Sequence, residues 1–174
     1  MSEKKVLTPS EFAQIKNPVI TSVHGIVFFQ HNVPVHDFIG FTNQSECFKT
    51  DDDMLIMTRN KRGIDWIGGH VEKGETPIQA LKREAFEEVK IKIHDDNLFL
   101  EQIIEIDNCD DVIALENGYP PIGYQLFYTV FPHQYKMFQS GCNFVDDVYG
   151  RVFVMRTEVK QVHHNPNDLI AQFV

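Results

Sequence analysis

Gly68-Gly69-His70-Val71-Glu72-Lys73-Gly74-Glu75-Thr76-Pro77-Ile78-Gln79-Ala80-Leu81-Lys82-Arg83-Glu84-Ala85-Phe86-Glu87-Glu88-Val89-Lys90-Ile91 is the stretch on which the reading of this chain turns. Three glycines within residues 68–74 mark a loop in which the backbone turns sharply or approaches a neighbour closely. A helix is predicted to follow: Thr76 caps it, Pro77 takes the first helical position, and Gln79 completes a capping box. The helix is expected to run to about Lys90. Ile78, Leu81, Ala85 and Val89 form one apolar stripe that should pack on a sheet. Glu84, Glu87 and Glu88, at i, i+3 and i+4, converge on a face beside it. Carboxylates crowded in this way repel by a few tenths of a kcal/mol per pair. They also occupy the C-terminal half of the helix, where its dipole disfavours negative charge. A divalent cation removes the conflict, and magnesium takes oxygen ligands while bridging readily to phosphates. The plain alternative is a solvated acidic face. Against it stand the glycine loop at a short, fixed distance and the spacing of Glu75 and Arg83, which would let the two pair and hold loop against helix.

Outward from this segment the chain is rich in strands. Thr8-Pro9-Ser10-Glu11 starts a short helix with its own capping box. Strands are predicted over 19–30, 54–58, 98–106, 124–131 and 149–155, with a short strand near 35–41. Residues 60–65 read as a polar turn, 107–121 as a polar connection and 132–147 as irregular. A final helix is expected over 167–173. Few helices and many strands favour an α+β or mixed α/β sandwich over a doubly wound fold.

The whole chain narrows the function classes. Its 174 residues suit one domain, 1–174, with a core large enough to need no staples. A net charge of −9 lacks the basic footprint that long nucleic acids require, so none is expected as a partner. It does not oppose small phosphorylated ligands, because a divalent cation reverses the sign of a carboxylate cluster. Cys47, Cys109 and Cys142 are dispersed, with neither a disulfide framework nor zinc-ligand spacing. No apolar run of about 18 residues and no signal-peptide pattern occur, so no membrane is expected and a cytoplasmic location follows by elimination. The long connections 31–53 and 107–121 could shape a pocket or a homodimer contact.

Gly69, Glu75, Arg83, Glu84, Glu87 and Glu88 fall on the fixed polar and glycine positions of G-x5-E-x7-R-E-U-x-E-E-x-G-U, where U is a bulky aliphatic residue. The segment Gly69–Ile91 therefore resembles the box of the Nudix hydrolase family (MutT-like). A chance match to these six positions in a chain of this length has odds of roughly one in 10⁵. The late glycine of the box is Lys90 here, at the end of the helix, and Ala85 is a small member of the aliphatic class. Ile67 stands where a proline often precedes the paired glycines.

The resemblance implies an α/β/α sandwich around a mixed β-sheet. It also implies hydrolysis of a pyrophosphate bond in a nucleoside diphosphate linked to another group. Carried over by position, Glu84, Glu87 and Glu88 would bind Mg2+ or Mn2+, with the carbonyl of Gly68 or Gly69 as a further ligand. Arg83 would orient the carboxylates and Glu75 would brace the loop. The general base would be Asp146 or Asp147, in a loop before the last strand, or Glu84 within the box. Arg59, Lys61 and Arg62 are candidates for substrate phosphates, as is His70 in the loop. Trp66, Phe28, Phe127 and Tyr124 could stack on a base, although such aromatics more often sit in a core. His24 could meet phosphate, and the pair His163-His164 reads as surface. A nucleoside triphosphate, oxidised (8-oxo-dGTP-like) or not, is the expected substrate. The alternative is a module that senses a nucleotide without hydrolysing it.

Overall fold

The computed structural model of the chain describes residues 2–29, 54–138 and 148–174. In chain order the elements are β1 (Glu3–Leu7), α1 (Pro9–Phe12), β2 (Ile20–Phe28), β3 (Met54–Asn60), β4 (Gly63–Asp65) and β5 (Ile67–His70). There follow α2 (Pro77–Val89), β6 (Ile91–Ile93), β7 (Phe99–Asp107), α3 (Val112–Glu116), β8 (Ile122–Val130), β9 (Tyr135–Met137), β10 (Val148–Met155) and α4 (Val159–Val162). The main sheet runs β1-β7-β8-β2-β3-β10, with β4 added to β3 and β5 to β2. It is mixed: β2 and β8 are parallel, and the other pairs are antiparallel. β6 and β9 form a separate ribbon.

Side-chain alternation along β2 divides the molecule into layers, because successive strand residues face opposite sides. Val23 and Val27 are buried with Leu81, Ala85 and Val89 of α2. Ile26 faces the other way, into a second cluster with Met57, Trp66, Phe127, Val159 of α4 and Ile170. The sheet thus lies between α2 on one face and α4 with the C-terminal turns on the other, the expected α/β/α layering. Gly25 lets α2 approach: a Cβ there would meet Leu81 Cδ1 at 3.3 Å and Val27 Cγ2 at 3.2 Å. The apolar stripe of α2 is as predicted, with Leu81, Ala85 and Val89 fully buried and Ile78 packed at the edge. Burying a leucine of this kind contributes about 1.5–3 kcal/mol.

Both predicted capping boxes form, at Thr8 with Glu11 and at Thr76 with Gln79. Other expectations are corrected. β1 and β6 were not anticipated, since Glu3-Lys4-Lys5 is too polar and Ile91–Ile93 too short to read as strands. Residues 60–65 are a hairpin rather than a plain turn, with Gly63 at φ +126° closing β3 onto β4. Within 107–121 the helix α3 forms, capped by the Asp111 side chain. Residues 167–173 make turns instead of a helix. There the side-chain oxygens of Asn165 and Asp168 accept from the amides of Asn167 (3.1 Å) and Ala171 (2.8 Å), an alternative to helical bonding. The strand expected near 35–41 lies outside the described residues. No helix among the described residues is long and apolar enough to cross a membrane.

The box departure at Lys90 has a structural consequence. Lys90 caps α2 in the left-handed region, φ 55° and ψ 43°, and its N–H donates to the carbonyls of Ala85 and Phe86. The glycine geometry is thus retained by a lysine, whose Nζ lies 5.2 Å from the centre of the Phe86 ring. A β-carbon in this conformation costs about 1 kcal/mol. Lys90→Gly is expected to stabilise the fold by about that amount, seen as a Tm increase of a few degrees. An unchanged or lower Tm would show that the contact with Phe86 offsets the backbone strain.

Candidate active site

The glycine loop and the acidic face of α2 are joined by one guanidinium. Arg83 Nε donates to Glu75 Oε1 at 2.8 Å and Nη2 to Glu75 Oε2 at 3.1 Å, a bidentate pair. Nη2 also donates to the carbonyl of His70 at 3.1 Å, while Nη1 donates to Glu84 Oε1 at 2.8 Å and Glu87 Oε2 at 3.4 Å. Glu75 in turn accepts the amide of Glu72 at 3.0 Å, tightening the turn before the helix. Its hydrogen bonds to Arg83 hold the Glu75 carboxyl below the usual range. The pairing expected from the spacing of Glu75 and Arg83 is present.

The paired glycines are explained by what lies against them. A Cβ on Gly69 would sit 2.5 Å from Glu84 Oε1 and 2.7 Å from its Cδ. Gly68, at φ +146°, packs directly on β2, where a Cβ would strike the Val23 carbonyl oxygen. The amide of Gly68 donates to Glu88 Oε2 at 2.9 Å. Burial pushes the Glu88 carboxyl up to about 8, aided by the charges of Glu84, Asp65 and Glu87, while the Gly68 hydrogen bond acts the other way. The donor set of Glu84, Glu87 and Glu88 is all oxygen and under-neutralised, which fits a hard divalent cation.

Glu84 and Glu88 line a cleft of about 840 Å³ with Gly68, Gly69 and His70. Its floor is the parallel pair β2–β8: Ser22 lies opposite Gln125 and His24 opposite Phe127. His24 stacks on Phe127 at 4.9 Å and is kept neutral by burial, which lowers its imidazole to about 4. Asn108, Ala114 and Tyr119, from the connection 107–121, form part of the rim. The same cleft is lined by a group that sequence reasoning missed: Asp65 at the end of β4, with His163 and His164 from the C-terminal segment. Asp65 Oδ1 is 3.2 Å from His163 Nε2, and Oδ2 is 3.0 Å from His164 Nε2. Burial opposes ionisation of Asp65, but the His163 hydrogen bond and the His164 charge hold it below the usual range.

Of the sequence-predicted substrate residues, Arg62 and His70 line the cleft and Arg59 does not. Arg62 extends into solvent and reaches Asp65 at 3.3 Å. Trp66 and Phe127 line the cleft, whereas Phe28 borders a separate apolar pocket and Tyr124 is buried against Phe12. His163, expected at the surface, is buried, because residue 163 bridges to Ile64 beside β4. Glu87 is half exposed at the outer side of the acidic face. Asp146 and Asp147 lie outside the described residues. No local pattern marks Asp65 or the two histidines as partners, since the contact spans about a hundred residues.

The perturbation of Glu88 has a stability consequence. Its folded value of about 8 exceeds the ordinary 4.5, so between these pH values the metal-free native state binds more protons than the unfolded chain. Stability contributed by protonated Glu88 is therefore present at low pH and is lost as pH rises through the folded value. Metal-free protein is expected to show a Tm that falls more steeply with pH over this window than Glu88→Gln does. Parallel pH profiles of the two proteins would disprove it.

Residues 46–111 match the family model described as the NUDIX domain. Curated protein sequences yielded no match. Among solved structures, the pyrophosphohydrolase BsRppH of Bacillus subtilis is similar with a TM-score of 0.54 and 14% identity, over 87% of this chain and 72% of that one. A NUDIX hydrolase from Nitrosomonas europaea gives 0.54 and 16%, over 90% and 87%. The dihydroneopterin triphosphate pyrophosphohydrolase of E. coli gives 0.50 and 16%, over 90% and 97%. At these identities the likeness is one of fold. The Arg83-centred box, the NUDIX-domain match over residues 46–111 and the α/β/α fold agree in their likeness to Nudix hydrolases.

Proposed function

We propose that the protein is a divalent-metal-dependent hydrolase of a pyrophosphate bond in a nucleoside diphosphate linked to another group. A nucleoside triphosphate, including the oxidised 8-oxo-dGTP type, is the substrate this reading favours. The observation that carries it is the convergence of Glu84 and Glu88 on one wall of a large cleft, with the Gly68 amide fixing Glu88. Mg2+ or Mn2+ would be held by Glu84, Glu87, Glu88 and the Gly68 carbonyl. When bound, the ion supplies Lewis acidity toward phosphate oxygens and makes a water more acidic.

The remaining work falls to side chains. Arg83 and Glu75 fix the carboxylates and the loop, so that little reorganisation accompanies the reaction. Arg62 and His70, on the cleft wall, bind the charged phosphates. Arg59, exposed outside the cleft, is the weaker of the phosphate candidates. A base takes the proton of the attacking water, and Asp146, Asp147 and Glu84 are the candidates for it. A nucleotide-type ligand rather than a long nucleic acid is consistent with the acidic net charge.

A panel of nucleoside triphosphates, oxidised triphosphates, nucleotide sugars and dinucleoside polyphosphates, assayed with magnesium, tests this reading. Wild type is expected to release phosphate or pyrophosphate from at least one compound. Glu87→Gln is expected to lower kcat/KM by about 100-fold or more. If neither protein cleaves any phosphoanhydride, the reading fails. Asp147→Asn tests the loop base: a 100-fold loss in kcat assigns the proton to Asp147, and full turnover removes it from the candidates.

A further inference from the structure

We propose that Asp65, His163 and His164 form a second cation site, chemically distinct from the glutamates of α2, that takes a borderline transition-metal ion of the zinc type. One ligand atom from each residue lies within 4.8 Å of the other two. The donor set is two imidazoles and a carboxylate, which suits zinc, whereas magnesium takes oxygen almost alone. A tetrahedral ion with ligands at about 2.0–2.1 Å separates neighbouring donor atoms by about 3.3 Å. His163 Nε2 lies 3.2 Å from Asp65 Oδ1 and His164 Nε2 lies 3.0 Å from Asp65 Oδ2, so each imidazole already stands close to this spacing from one oxygen of the carboxylate.

The support around these residues is of the kind that orients ligands. His163 Nδ1, the ring nitrogen turned away from Asp65, lies 3.1 Å from both the carbonyl oxygen and the amide nitrogen of Asn165. Ligating histidines are commonly fixed by such a backbone contact on the second nitrogen. The Trp66 amide donates to Asp65 Oδ1 at 2.8 Å and fixes the carboxylate. The His164 amide donates to the Ile64 carbonyl at 2.8 Å, and residue 163 bridges to Ile64, so the two adjacent histidines are pinned against β4. Arg62 makes the longest contact to Asp65, 3.3 Å, from a largely exposed side chain that can swing away.

Three protein ligands leave a tetrahedral ion one open position, as in sites that bind water or a ligand atom. Asp65, His163 and His164 all line the cleft that also holds Glu84 and Glu88. An oxygen donor of a bound molecule, such as a phosphate, could complete the coordination from the cleft. This site does not depend on the box being catalytic, and its test needs no substrate.

The chelator-treated, full-length protein is titrated with zinc by calorimetry in excess magnesium, which occupies the oxygen-rich site. A parallel titration uses cobalt and follows its visible absorption. Wild type is expected to bind one zinc and to give intense tetrahedral cobalt bands. His164→Gln, at a partly exposed position, is expected to weaken zinc by at least about 100-fold and abolish the bands. Asp65→Asn should do the same, and thermal melting checks that each variant is folded. The double variant Glu87→Gln/Glu88→Gln is expected to keep both signals. Absence of saturable zinc binding in wild type overturns the proposal and leaves an ion-pair cluster only. So does binding that survives in folded His164→Gln or disappears in the double glutamate variant.

Discussion

The guanidinium of Arg83 is the interaction from which the site takes its form. It spends its donors on Glu75, the His70 carbonyl, Glu84 and Glu87, and so ties loop and helix into one rigid piece. One cation faces four carboxylates, those of Glu72, Glu75, Glu84 and Glu87. The excess of negative charge is what a divalent ion would relieve. The planar fork matters here as much as the charge, because a lysine could not hold Glu75 with two parallel hydrogen bonds while reaching two further partners.

Close backbone approach is the second constraint. Gly68 lies on β2 and Gly69 under the Glu84 carboxylate, each at a distance that a β-carbon would fill. These glycines seat Glu84 and Glu88 against the sheet rather than out in solvent. Burial of Glu88 follows from that seating and explains why its carboxyl holds its proton so far above the ordinary range. The parallel pairing of β2 with β8 then supplies the floor, since strand alternation turns Ser22, His24, Gln125 and Phe127 to the cleft.

Much of the box half of the site was legible in the sequence. The helix bounds, the capping box at Thr76, the buried stripe and the Glu75–Arg83 pair all follow from local periodicity and spacing. Short-range signals of this kind survive folding because the helix carries its own geometry. The C-terminal segment was not legible in the same way. Residues 167–173 carry an apolar pattern, yet Asn165 and Asp168 bond their own neighbourhood and make turns. β1 and β6 were missed because their pairing partners, Asp107–Ile103 and Met137–Tyr135, are distant in sequence.

The sequence by itself determined the acidic helix, its glycine loop and the crowding of Glu84, Glu87 and Glu88 on one helix face, because all three lie within one continuous stretch. Lys90 could be recognised there as a departure, but only its backbone angles show that the left-handed cap is kept without glycine. Tertiary structure alone decided what shares the cleft with the box. Asp65 meets His163 and His164 through a strand bridge between segments about a hundred residues apart, and Arg59 is left outside while Arg62 is brought in. Such contacts are set by which face of a strand a residue occupies and by where the chain returns, and neither is encoded within a few positions of the residues themselves.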